Sequence, residues 1–357
     1  MYTTALKILK KIEENGFKAY IIGGFVRDKY LGMDNGDIDI CTNATPMDLK
    51  KIFKNVKNEN YGSLVLNVNN YFYEITTFRK ELEYSKNRVP SKLVYIDSLE
   101  EDLLRRDFTI NTMCIDSNGN QLDLLNGRID LDSKIIKMVG DPFIKIEQDS
   151  LRILRAIRFA TKLNFRIDEQ LFKAIKKYGY LLEKLSFDRK KEELNKIFSS
   201  TNNKYGIELI RKAKLDQYLD IDISNLKYTE DILGIWALIN ADKYPFTKHE
   251  RDIINKIKDL KDKKIDNYLI YKNGLYISSI VAGIQNIKRV NITEMYNELP
   301  IHKKSDVKIN IPDISKILNI DINKSKDIFN QIELLILNKK LDNNYDIIKK
   351  YIEKHFK

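Results

Sequence analysis

Cysteine is almost missing from this chain: Cys41 and Cys114 are the only two in 357 residues. Two thiols cannot build a disulfide framework or a four-cysteine zinc site, so no disulfide-linked partner is expected. Both sit in apolar, strand-like contexts and read as buried thiols rather than nucleophiles. The three histidines, His249, His302 and His355, are far apart and none is followed by Asp. That excludes an HD-type phosphohydrolase module and points to no histidine metal centre. Proline is scarce, with 6 residues, and no low-complexity linker or clean repeat appears. No apolar run approaches the ~20 residues that span a bilayer. Met1-Tyr2-Thr3-Thr4 leads into no signal-peptide core, so a reduced, cytoplasmic protein is expected.

What the chain does hold is enough apolar material for sizeable cores, 43% hydrophobic against 32% charged, and length enough for two or more units. The net charge is +11. Residues 1–139 carry 20 basic and 20 acidic side chains, so the whole surplus lies beyond residue 139, where 42 face 31. A neutral unit joined to a basic remainder suggests that chemistry and polyanion binding are divided. Lysine-rich, merely solvated helices would give the same count.

The first 139 residues read as mixed α and β. Leu6 to Glu14 is helical and stops at Asn15-Gly16. Ala19 to Ile22 is a strand ending at Gly23-Gly24, and Phe25-Val26-Arg27-Asp28 starts a helix. Thr45-Pro46-Met47-Asp48 is a helix start, with a Thr cap and Pro in the first turn. Ser63–Val68 and Tyr71–Thr77 form a hairpin around Asn69-Asn70. After Asp141-Pro142 strand signals fade and helical periodicity takes over, as in Ile153, Ile157 and Ala160.

Asp37-Ile38-Asp39-Ile40 alternates with period two, so both carboxylates point to one face of a strand. Two acids that close repel unless a cation bridges them, and such oxygen-rich sites suit Mg²⁺ bound jointly with substrate phosphates. Asp-x-Asp alone also fits a solvated strand face. The context upstream sharpens it. Gly23 and Gly24 permit close backbone approach to a phosphate, and Arg27 adds a charge-assisted donor.

In this order of motifs the sequence resembles the nucleotidyltransferases that share the polymerase β catalytic fold, and within them the class II tRNA nucleotidyltransferases (CCA-adding enzymes) and bacterial poly(A) polymerases. Arg105-Arg106-Asp107-Phe108-Thr109-Ile110-Asn111-Thr112-Met113 resembles the family's second motif, with Thr112 and Cys114 where small alanines are usual. Gly140-Asp141-Pro142 and the run Asp149 to Phe159 resemble its hinge and nucleotide-binding helix, although Gln148 stands where Glu is common. Leu299-Pro300-Ile301 and the segment around Asp306 resemble its tail. The likeness runs nearly end to end and is strongest up to about residue 195.

The resemblance implies an α+β fold: a polymerase-β-like head, mixed sheet with helices, over residues 1–139. A helical neck would follow over 140–198, a body over 199–285 and a tRNA-binding tail over 286–357. It implies that Asp37 and Asp39 hold two Mg²⁺ ions around a triphosphate, while an RNA 3′-hydroxyl attacks the α-phosphorus and pyrophosphate leaves. Glu74 is a candidate third carboxylate that accepts the hydroxyl proton. A lone acid on a strand is also compatible with plain exposure. Gly23, Gly24, Arg27, Arg106 and Asp107 are implied at the nucleotide, and the second motif favours ribose.

Asp149, Arg152, Arg155 and Arg158 recur every three residues and would form a polar stripe on one helix. Asp149 offers acceptors and Arg152 donors, which suits the Watson–Crick edge of a base. Arg155 and Arg158 would reach the triphosphate. A salt-bridged helix surface is the plain alternative. Arg189 and Glu193 resemble the motif that braces the base-reading helix.

The polar stretch Lys80–Pro90, including Tyr84, Arg88 and Pro90, occupies the place of the family's flexible loop. Its full length argues against an enzyme that adds only CC. The expected function is therefore addition of CCA to tRNA from CTP and ATP, gripping the acceptor stem and elbow. A-only addition, poly(A) synthesis and a non-catalytic RNA-binding relic remain alternatives; nucleotidyl transfer to a small molecule would leave the basic helical part unexplained.

Overall fold

The computed structural model describes residues 1–33, 36–54, 56–58, 62–85, 89–224, 226 and 229–356. They form two compact units, Met1–Ser224 with Ala241–Pro245, and Asn225–Asn240 with Phe246–Lys357. The segments expected at 1–139 and 140–198 thus fall within the first.

Helix α1 (Tyr2–Glu13) opens the first unit and buries Ala5, Ile8, Leu9 and Ile12 at the spacing of one helix face. The sheet that follows uses β1 (Ala19–Ile22), β2 (Ile38–Thr42), β3 (Val56–Asn58), β4 (Ser63–Val68) and β5 (Tyr71–Thr77). Two further strands, β6 (Arg79–Ser85) and β7 (Val89–Tyr95), pair with each other, and β8 (Cys114–Ile115) and β9 (Gln121–Leu122) complete the main sheet. Its order is β3-β4-β5-β2-β1-β8-β9. The one parallel joint, β2 with β5, lies at its middle and sets Asp39 opposite Glu74 in register. The β4–β5 turn falls at Asn69 and Asn70, both left-handed, at φ 52° and 64°. Asparagine tolerates that conformation, so the turn closes without glycine.

Helix α2 (Gly24–Tyr30) follows β1, and α3 (Pro46–Ile52) follows β2 behind a complete capping box between Thr45 and Asp48. Lys80–Pro90 is not an irregular loop: its described part is the β6–β7 hairpin, where Tyr84 pairs with Pro90. Leu82 and Tyr84 carry a period-two alternation that the surrounding charges conceal. Arg88 lies outside the described residues.

Beyond α4 (Leu99–Leu104) and α5 (Gly127–Asp132), β10 (Ile135–Ile136) pairs with β11 (Arg166–Ile167), and the rest of the unit is helical. It comprises α6 (Pro142–Gln148), α7 (Leu151–Leu163), α8 (Glu169–Tyr178), α9 (Phe187–Phe198), α10 (Asn203–Lys212) and the short α11 (Asp216–Leu219). Helix α7 buries Ile153, Leu154, Ala156, Ile157 and Ala160 between α9 and α10. At Gly206 a Cβ would stand 2.4 Å from Thr161 Oγ1, so α10 approaches α7 as closely as glycine allows. Asp149 does not belong to α7, contrary to the expected stripe. It stands in extended backbone at the corner between α6 and α7, and its Oδ1 accepts the Leu151 N–H at 3.0 Å. An aspartate in that position stabilises the start of the next helix, which is why the helical periodicity breaks there.

The second unit contains α12 (Ile232–Leu238), α13 (Lys248–Leu260), α14 (Asn267–Ile284), α15 (Arg289–Asn297), α16 (Ile311–Leu318), α17 (Ile322–Leu337) and α18 (Tyr345–His355). Its core is largely isoleucine, with Ile292, Ile314, Ile332, Ile336, Ile348 and Ile352 fully buried. Among the described residues no helix is long and apolar enough to cross a membrane. Cys41 and Cys114 are buried free thiols in the sheet of the first unit.

Candidate active site

A cavity of about 830 Å³ opens in the first unit between the end of the sheet and helices α7 and α9. Its wall includes nine of the residues singled out in the sequence: Gly23, Gly24, Arg27, Asp37, Asp39, Arg106, Asp107, Arg155 and Arg158. Glu74, Asp149 and Arg152 are not on that wall.

Asp39 lies on β2 and Asp37 directly before it. Ile38 and Ile40 are buried beneath the sheet while Asp37 and Asp39 face the opening. The Asp39 side chain is open to solvent there, yet protein packed around it removes much of its hydration. That loss, followed by repulsion from Glu74, pushes its carboxyl up to about 6; Arg106 opposes the rise and Asp37 adds to it. Gly23 keeps the adjoining wall thin. Its φ of 83° suits glycine, and a Cβ there would meet Asp39 Oδ2 at 3.4 Å.

The cations opposite are held by acids built into the fold. Asp102, fully buried, accepts Arg105 Nε at 2.8 Å and Arg106 Nη2 at 3.2 Å. Asp28, also buried, takes Arg27 Nε at 2.7 Å and Lys162 Nζ at 3.1 Å, while Arg27 Nη1 donates to Asn111 Oδ1 at 2.6 Å. Asp107 binds the Arg155 guanidinium through Nε and Nη2. Burial alone would raise the Asp107 carboxyl; Arg155, then Asn111 and the Phe108 N–H, outweigh it and hold it down at about 2. Glu193 on α9 accepts Arg158 Nη1 at 3.2 Å and Lys196 Nζ at 3.5 Å. Arg189 pairs with Glu192 on its own exposed helix face.

Phe159 sits at the centre of these cations. The guanidinium carbons of Arg158, Arg27 and Arg155 lie 4.4, 5.2 and 5.7 Å from its ring centroid. The ring face both spaces the cations and favours them electrostatically. Phe159 and Asn111 fall within the motifs, but neither has a role legible in the sequence alone. Lys162, Lys196 and Ser199–Thr201, not singled out there, also line the cavity. Only Lys162 carried a signal, as the next turn beyond Arg158 on the same helix.

Asp149 and Arg152 lie together at the start of α7. Arg152 is buried, and donates Nη1 to Lys145 O at 2.7 Å and Nη2 to Arg105 O at 3.4 Å. Those two contacts use two of its five N–H groups.

The donor set suits a hard divalent cation, since Asp37, Asp39 and Glu74 are carboxylates on the two central strands or directly before them, and Asp39 is electrostatically crowded. Among the described residues no group of three or more Asp, Glu, His or Cys converges closely enough to enclose an ion alone. An ion shared between two aspartates and substrate phosphates fits both observations.

A mixed-sheet head joined to helices, with paired aspartates facing a cluster of arginines, defines a nucleotidyltransferase. Residues 19–137 match the model of the poly A polymerase head domain, and residues 164–221 match a probable RNA- and SrmB-binding site of polymerase A. A CCA-adding enzyme of Ligilactobacillus salivarius is 32% identical over 95% of this chain and 96% of its own length. One from Staphylococcus epidermidis is 30% identical over 100% and 99%. The crystal structure of the Bacillus stearothermophilus CCA-adding enzyme in complex with CTP superimposes with a TM-score of 0.85 at 24% identity, covering 99% of this chain and 96% of that one. The chain belongs to the CCA-adding enzyme family. Nucleotidyltransferases of this kind depend on a metal ion.

Proposed function

We propose that this protein adds CCA to the 3′ end of tRNA, using CTP and then ATP without a nucleic-acid template. The observation that carries this reading is full-length likeness to CCA-adding enzymes combined with one cavity whose acids and arginines face each other. In the reaction the tRNA 3′-oxygen forms a bond to the α-phosphorus, the bond from that phosphorus to the β-phosphate oxygen breaks, and pyrophosphate leaves.

Asp37 and Asp39 are assigned to two Mg²⁺ ions, which when bound neutralise phosphate charge and favour the attacking oxygen. Glu74, in register with Asp39, is assigned to the hydroxyl proton. Gly23 and Gly24 let the triphosphate approach the backbone. Arg155 and Arg158 face its charge, as does Arg106, while Arg27 braces Asn111 and Phe159 beside it. Asp107 orients Arg155 and stands where the ribose is expected. Asp149 and Arg152 read the base edge, Arg152 with the N–H groups not committed to carbonyls. Because the donors are already aimed, little reorganisation remains at the moment of transfer.

The basic remainder suits phosphate contacts that position a tRNA without reading its sequence. We assign 1–139 as catalytic head, 140–198 as neck, 199–285 as body and 286–357 as tail, the last two gripping the acceptor stem and elbow. The cytoplasm, where tRNA is processed, is the proposed location. Purified protein, tRNA lacking CCA, Mg²⁺ and labelled CTP or ATP test the proposal: a product three nucleotides longer ending in CCA is expected. A long A-tract would assign poly(A) synthesis instead. Arrest at CC, or a requirement for CC already present, would assign a partial activity, and tRNA binding without incorporation a relic.

A further inference from the structure

Helix α4 ends at Leu104, and its last carbonyls lack partners within the helix. Two cations from the neighbouring corner fill that need. Lys145 Nζ donates to Leu104 O at 2.5 Å, and Arg152 Nη2 donates to Arg105 O at 3.4 Å. Cations at a helix C-terminus are also favoured by the helix dipole. The Lys145 carbonyl has a second use. It accepts the Asp149 N–H at 3.1 Å and Arg152 Nη1 at 2.7 Å. One residue therefore ties its side chain to the segment that runs into Arg106 and Asp107, and its backbone to both groups assigned to the base edge.

We infer that Lys145 is a positioning residue for nucleotide selection: by bridging the end of α4 to the α6–α7 corner, it fixes where Asp149 and Arg152 stand relative to the metal-binding acids. Lys145 does not itself line the cavity, so it acts through the residues that it positions. A smaller cavity of about 230 Å³ lies beside it, bordered by Leu104, Arg105, Asp141 and Gln148. Lys80 and Gln148 share that border, and water can enter there once the Lys145 ammonium is removed. The corner then keeps its helices but loses its register against α4. The inference rests on the base-reading assignment of Asp149 and Arg152.

The test measures kcat/KM for CTP over that for UTP on tRNA lacking CCA, with tRNA affinity and thermal melting recorded for every variant. Lys145→Met keeps the apolar stem and removes the donor; it is expected to lower the ratio by about 10- to 100-fold with tRNA affinity within about twofold. Lys145→Arg, which can still reach a carbonyl, should return the ratio to within about threefold of the parent. Arg152→Ala should lower the ratio at least as far, and Lys145→Met/Arg152→Ala no further than Arg152→Ala alone, because both act through one group. A parental ratio in Lys145→Met beside a reduced one in Arg152→Ala overturns the positioning role and leaves base reading intact. So does a strictly additive double variant, or failure of Lys145→Arg to restore selection when it melts like the parent. A parental ratio in Arg152→Ala overturns base reading by that residue and this inference with it.

Discussion

Two aspartates in one cavity, Asp39 on the sheet and Asp107 beside the helices, are driven to opposite ends of the carboxyl range. Asp39 is pushed up to about 6 by lost hydration and by Glu74, while Asp107 is held at about 2 once Arg155 outweighs its burial. On the helix side every acid is paired: Asp28, Asp102, Asp107 and Glu193 each carry two guanidinium or ammonium contacts, or one paired through two nitrogens. The sheet side keeps like charges adjacent. An acid already satisfied by an arginine serves as a strut; an acid crowded by other acids gains most from an incoming cation. The contrast separates the part of the site that the fold preorganises from the part that metal and substrate complete.

Substitutions can break this contrast, and the sheet side should respond most. Asp39→Ala and Asp37→Ala are each expected to lower nucleotide incorporation by about 10³-fold or more, the scale on which transition-state charge is lost. Their tRNA affinity should stay near the parent's, and near-parental turnover in either variant would sink the metal assignment. Next in size, Arg152→Ala should blur the choice between CTP and ATP by about 10- to 100-fold in competition assays, because the buried donor proposed to read the base edge is removed. Glu193→Ala probes a strut. It leaves Arg158 and Lys196 without their shared acid and should cost about 1–3 kcal/mol in urea unfolding, discounted from a fully buried pair because both cations reach solvent. Unchanged stability would mean that Glu193 does not brace α7.

The smallest effect is the pH dependence. Asp39 binds its proton more tightly in the folded protein than in the unfolded chain. Its favourable contribution to stability is therefore present at low pH and is lost as pH rises through about 6. The metal-free protein should melt slightly lower at pH 7 than at pH 5.5 on this account, and Mg²⁺ should remove the difference. With limiting Mg²⁺, activity should fall as pH drops through about 6, since a protonated carboxyl cannot bind the ion. Raising Mg²⁺ should move that fall to lower pH. An activity profile flat from pH 5 to 7 at limiting Mg²⁺ would show that Asp39 is not crowded as described.

Much of this was legible in the chain because the signals were local. The Asp37–Ile40 alternation, the capped start of α3 and the Asn69-Asn70 turn each follow from a few consecutive residues, and each is found. The three-residue spacing of Arg152, Arg155 and Arg158 also holds on α7, but it hid a divergence. Arg155 and Arg158 face the cavity, whereas Arg152 turns to the carbonyls of Lys145 and Arg105. At about 100° per residue, a period of three drifts around a helix, and the neighbours decide which members share a surface. The β6–β7 hairpin was concealed by charge, since composition outweighed a short alternation.

By itself the sequence determined the chemistry available to this protein: paired aspartates after a glycine turn, arginines at helical spacing, and a basic surplus confined to residues beyond 139. Only the tertiary structure decided which charges are committed to one another. Asp28 meets Lys162 across 134 residues, Arg155 meets Asp107 across 48 and Arg158 meets Glu193 across 35. Periodicity reports only on neighbours within a few turns, so pairings at such separations arise from packing helices against a sheet. That packing turns a list of charged residues into a site with paired charges on one side and crowded acids on the other.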